Sequence, residues 1–159
     1  MLRIQNPGTR HLAMACGIAL CLLAANANAL FIVNQPWVKP ARSGQTTEVY
    51  MNLTSTDGAT LVAVRSDAAA TVIVRGPGRK PATIDRLPLP AKVLVALAPG
   101  REHIALVRLA KIVKLGERVA LTLTIEDSNG GRQEIPVDAE ARMRSPEDDE
   151  RRAHGHHPN

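Results

Sequence analysis

Three histidines, His154, His156 and His157, fall within four residues near the C-terminus, and a fourth, His103, stands alone mid-chain. Imidazoles clustered on a flexible segment bind Cu(II), Zn or Ni, so the tail is a candidate metal site. The same residues are equally compatible with a solvated tail, because His-rich tracts are compositional signals only. The remaining soft donors are Cys16, Cys21, Met51 and Met143, with Met1 and Met14 at the start. Enzymatic chemistry is poorly served. Between residues 30 and 141 there is one histidine, no cysteine, no serine in a nucleophile elbow and no apolar-flanked carboxylate pair. A non-enzymatic role is expected.

Both cysteines lie in a segment that reads as an export signal. Arg3 and Arg10 precede an apolar run from about Leu12 to Ala25, and Ala27-Asn28-Ala29 supplies a small-x-small cleavage site. The run is shorter than the ~20 residues a membrane helix needs, and no second such run follows, so no membrane span is expected in the mature chain. A lipid anchor is disfavoured: Leu20 precedes Cys21 where a small residue is wanted, and Cys16 comes too early in the apolar run. Residues 1–29 are thus expected to be cleaved, delivering a domain without thiols beyond the cytoplasm.

About 130 residues then remain, the size of one domain. Loss of Arg3 and Arg10 lowers the formal charge from +5 to +3. The other cations are scattered among acids, and only Phe31, Trp37 and Tyr50 could stack on a base, which argues against nucleic-acid binding.

The elements that would position His103 are strands. In 118–126, Val119, Leu121, Leu123 and Ile125 alternate with Ala120, Thr122, Thr124 and Glu126. Asp127-Ser128-Asn129-Gly130-Gly131 offers the left-handed positions of a hairpin turn, with 132–138 as partner strand. Earlier strands are predicted at 47–54, 60–66, 71–75, 92–97 and 103–109, a spacing that suits an all-β sandwich or Greek-key barrel. Helix is nearly absent, with only a hint of a turn at 108–115. Residues 76–81, Gly-Pro-Gly-Arg-Lys-Pro, read as a loop. From 142 to 159 large apolar residues run out after Met143, and this tail is expected to be disordered. Its acidic run Glu147-Asp148-Asp149-Glu150 beside Arg151-Arg152 reads as a solubilising stretch. Met51, on the apolar face with Val49 and Leu53, reads as core, and Trp37 as a packing residue.

Several segments resemble, in order and spacing, the periplasmic copper chaperone family called PCu(A)C. They are Trp37-Val38-Lys39-Pro40-Ala41-Arg42, Val49-Tyr50-Met51-Asn52-Leu53, residues 59–69, Leu87-Pro88-Leu89-Pro90, Leu97-Ala98-Pro99-Gly100 leading to His103-Ile104-Ala105-Leu106, and residues 115–126. The resemblance spans most of residues 33 to 138. It implies a single cupredoxin-like β-barrel over residues 30–141 that binds copper in the periplasm and passes it to a copper enzyme or an oxidase assembly factor. It also implies four copper ligands: a His at the end of one strand, a Met in the following loop, and a His-x-Met pair on a later strand.

Here the pattern departs from the family. Arg75 stands where the family has the first His, the loop after it lacks Met, and His-x-Met has become His103-Ile104-Ala105. A guanidinium about 4 Å from a copper ion is repelled by roughly 4 kcal/mol at an effective dielectric near 20, about three decades in affinity. His103 then reads either as a residual ligand or as an inherited histidine hydrogen-bonded at a strand start. Metal handling is expected to be weakened or moved to His154, His156 and His157; the alternative is a barrel kept as a protein-interaction module without metal.

Overall fold

A computed structural model describes residues 30–154. The strands are β1 (Phe31–Val38), β2 (Thr47–Ser55), β3 (Ala59–Arg65), β4 (Ala69–Arg75), β5 (Leu87–Leu89), β6 (Leu94–Leu97), β7 (His103–Leu109), β8 (Arg118–Asp127) and β9 (Arg132–Ala141), followed by one helix, α1 (Pro146–His154). They form a single sheet in the order β4-β7-β2-β1-β9-β8-β3-β5, with β6 also paired to β2. The junction of β1 and β9 is parallel, Trp37 opposite Glu140 and Val38 opposite Ala141, and joins the first and last strands into a near-closed barrel. The expected all-β, cupredoxin-like barrel is the observed architecture.

Period-two burial drives the closure. Along β8, Val119, Leu121, Leu123 and Ile125 turn inward to meet Val49, Met51 and Leu53 of β2, and Ile104 and Leu106 of β7, in one core. Met51 and Trp37 are both buried, as their sequence context suggested. The β8–β9 hairpin turns where predicted, with the Asp127 carboxylate accepting from Asn129 N–H at 2.8 Å and Gly131 N–H at 2.9 Å. A Cβ on Gly131 would lie 2.5 Å from Asp127 Oδ2, so a larger residue there would displace the carboxylate that holds the turn.

Three features differ from the sequence reading. Strand β1 was hidden by Asn34-Gln35-Pro36: its ladder to β2 shifts register between Asn34 and Trp37, and Gln35 takes φ 50°, so a bulge absorbs the proline. Strand β5 is only Leu-Pro-Leu at the sheet edge, where a proline costs no ladder bond. Residues 146–154, expected to be disordered, form α1. Ser145 caps it, its Oγ accepting from Glu147 N–H at 3.1 Å, and Pro146 takes the first helical position. Acids fill the first turn and bases the last, opposing the helix dipole, although no residue of α1 is buried. The 108–115 segment has no helix; Arg108 has φ 55°, and Val113 bridges to Ala41.

Candidate functional site

Strand pairing gathers residues far apart in sequence onto the outer face of β1, β2, β7 and β4. Trp37 pairs with Tyr50, Ala105 lies opposite both Glu48 and Ile73, and Arg75 lies opposite His103. Paired antiparallel residues project to the same side, and so do residues two apart on one strand. Trp37, Glu48, Tyr50, His103, Ala105 and Arg75 therefore share one face, the reverse of the one carrying Val49, Met51 and Ile104. Arg75 is a direct cross-strand neighbour of His103.

Charge on this face is closely matched. Lys39 Nζ donates to Glu48 Oε2 at 2.7 Å, and the Tyr50 hydroxyl donates to the same oxygen. The Tyr50 ring stacks at a tilt on Trp37, centroids 4.6 Å apart, and lies 5.2 Å beneath the Lys39 ammonium. Burial, and then the hydrogen bond to Glu48, pushes the Tyr50 hydroxyl up to about 12. Burial alone would raise the Glu48 carboxyl, but the hydrogen bonds from Lys39 and Tyr50 outweigh it and hold Glu48 below its ordinary range. Lys39 is likewise opposed by burial and carried upward by its bonds to Glu48 and Tyr50.

His103 is 8% exposed. Its Nδ1 lies 2.9 Å from the Arg101 carbonyl oxygen. A carbonyl only accepts, so the Nδ1–H donates and the neutral ring keeps its lone pair on Nε2. That nitrogen faces Glu48 Oε1 at 3.7 Å, beyond hydrogen-bond reach. The face thus offers one free imidazole nitrogen, a carboxylate already held by Lys39 and Tyr50, a phenol and no sulfur. Ala105, two residues along the strand, is a methyl where a thioether would be needed, and Arg75 brings a positive charge. Cu(I) favours soft sulfur and imidazole donors, so this set does not fit a Cu(I) site of the expected kind. Among the described residues no three His, Cys, Asp or Glu side chains are grouped to hold a metal ion.

The tail begins beside this cluster, Ser145, Pro146 and Glu147 lining one cleft with Trp37. Helix α1 is tethered by Asn52 Nδ2 donating to Glu147 Oε1 at 2.8 Å and by Arg142 to Asp149 at 3.5 Å. His154 is exposed at its C-terminal end, while His156 and His157, like Cys16, Cys21 and the export signal, lie outside the described residues. His103 and His154 are not brought together with a third ligand.

Sequence reasoning missed Lys39, Glu48 and Tyr50 as a unit. The available signal was Glu48 and Tyr50 alternating with Val49 and Met51, polar atoms on the reverse of a core strand. It missed α1 too, although Ser-Pro followed by acids is a helix-start pattern.

The LpqE-like family model, described as "Putative lipoprotein LpqE-like", matches residues 32–139. Among solved structures, the apo PCuAC domain from PmoF1 is 22% identical with a TM-score of 0.59, covering 74% of this chain and all of that domain. The copper-bound PCuAC domain from PmoF2 is 23% identical with a TM-score of 0.56, covering 72% of this chain and 99% of that one. The solution structure of CuI-DR1885 from Deinococcus radiodurans is 24% identical with a TM-score of 0.55, covering 74% of this chain and 83% of that one. At these identities the likeness carries the fold: the barrel is of PCuAC type. No curated protein sequence matches the chain.

Proposed function

The chain belongs to the LpqE-like family, and on that premise we propose that it is a non-enzymatic, copper-chaperone-like protein of the cell envelope. Its cargo is copper, held at a site weakened on the barrel or relocated to the tail. The observation that carries this reading is the retained imidazole of His103, with Nε2 unprotonated in its neutral form, on a PCuAC-type barrel. His154, His156 and His157 supply the further nitrogen donors, which suit Cu(II) better than Cu(I). The segment 1–29 serves as a cleavable export signal, the location is the periplasm, and the recipient is a copper enzyme or an oxidase assembly factor.

Titration with Cu(I) and Cu(II) of the chain from Leu30 to Asn159, beside a version ending at Ser145, tests this. Binding by the longer chain alone places the cargo on the tail. Equal binding by both, abolished by His103→Ala, places it on the barrel. Failure of both to bind either ion sinks the copper reading. A second reading has its own support: Arg75 beside His103 and Ala105 in the thioether position suit a barrel that has given up metal and acts as an interaction module.

A further inference from the structure

The loops after β4 and before β7 leave adjacent strands at one end of the barrel, because β4 and β7 pair along their length with Arg75 opposite His103. Arg75 closes β4, Arg79 and Lys80 lie exposed in the following loop, and Arg101 lies exposed in the loop before β7. Both loops are pinned by backbone hydrogen bonds. Gly76 N–H donates to Ala82 O at 2.9 Å and Ile84 N–H to Val74 O at 2.9 Å. Arg101 N–H donates to Ala98 O at 3.0 Å and Ala98 N–H to Glu102 O at 3.0 Å.

These cations are uncommitted. Among the described residues none of the four has a carboxylate within 4 Å, whereas Arg65, Arg86 and Arg132 on the β3–β8–β9 side are all ion-paired. The two loops hold two acids, Asp85 and Glu102, against four cations, and nearby Glu48 is held by Lys39 and Tyr50. Another set of free cations, Lys111, Lys114 and Arg118, is interleaved with Asp67 and Glu117 and faces Glu140 across the ladder, so its field largely cancels.

We propose that Arg75, Arg79, Lys80 and Arg101 form a docking surface for an acidic polypeptide segment. Three of the four are arginines, whose planar forks engage carboxylates two bonds at a time. A membrane surface fits less well. Among the described residues the exposed large apolar side chains are Leu30, Ile32, Val93, Leu94, Ile112, Leu115 and Met143, none in these loops, and interfacial binding draws on apolar insertion as well as charge. The surface acts whether or not copper is bound, so it does not rest on the copper reading.

The test measures binding of an oligoglutamate peptide and of phosphatidylglycerol vesicles to the 30–159 chain at low and high salt. The exposed triple variant Arg79→Gln, Lys80→Gln, Arg101→Gln is expected to lose about tenfold in peptide affinity, and raised salt to weaken the wild type. A control with the same loss of charge, Lys111→Gln, Lys114→Gln, Arg118→Gln, is expected to change it by less than about twofold. Arg75→Gln is measured separately, with its fold checked by circular dichroism. Equal losses in the two triple variants, no peptide binding by the wild type, or tighter binding to vesicles than to peptide would overturn the proposal.

Discussion

The two faces of strand β2 were built by different rules. Inward, Val49, Met51 and Leu53 join the apolar core, and each is almost wholly excluded from water. Outward, Glu48 and Tyr50 lie among Lys39, Trp37 and His103, and what fills the space is a hydrogen-bonded charge cluster. The inner face needs apolar residues of suitable volume, whereas the outer needs particular partners at particular atoms. Hence the inner face supports the fold however the function drifts, and the outer one, which carries Arg75 and Ala105, is where substitution would change chemistry.

The largest expected effect tests whether those two residues silence the outer face. The double substitution Arg75→His with Ala105→Met removes the opposing charge and restores two donor types. It should raise Cu(I) affinity by about two to three decades, read by competition with a chelating dye. Arg75→Gln, which removes charge without adding a donor, should gain less; no gain in either variant would mean that the outer face is closed to copper for another reason.

On the inner face, Leu53→Ala should cost about 3 kcal/mol in urea unfolding while leaving copper and peptide binding unchanged in the folded protein. A loss of binding without a loss of stability would break the division between the faces.

Next comes alkaline stability. Tyr50 titrates at 10.0 when free and at about 12 in the fold, so the folded state holds its proton more tightly. Its contribution is complete below pH 10 and is lost as pH climbs toward 12, about 3 kcal/mol in all. Tyr50→Phe should flatten that limb of the stability curve, measured by urea midpoints across pH.

The smallest effect is expected at Glu48→Gln. Its folded carboxyl is held below the ordinary 4.5, so its contribution is present above that value and disappears as pH falls through the lowered one. Because Glu48 and Lys39 are both partly exposed, the loss at neutral pH should be no more than about 1 kcal/mol, and the acid limb should become shallower.

Much of this molecule could be read before folding it. The alternation in β8, the Asp127–Gly131 turn and the apolar side of β2 are local patterns, and each appears where the sequence placed it. β1 was obscured because Pro36 argues against a strand unless a bulge forms, and a bulge depends on the ladder to β2. Helix α1 was legible from Ser145-Pro146 and its acids, but the lack of apolar residues outweighed that signal. Its docking depends on Asn52, 95 positions away from Glu147.

By itself, the sequence determined that the chain is all-β with an apolar face along its strands, which follows from residue type and from the period-two geometry of strands; the barrel and the missing sulfur donor at position 105 were legible only through the family resemblance. Only the tertiary structure decided that Arg75 faces His103, that the Arg101 carbonyl fixes the imidazole tautomer, and that Lys39 and Tyr50 claim Glu48. Each of these is a contact between strands or loops brought together by register, and register is set by how the whole sheet closes.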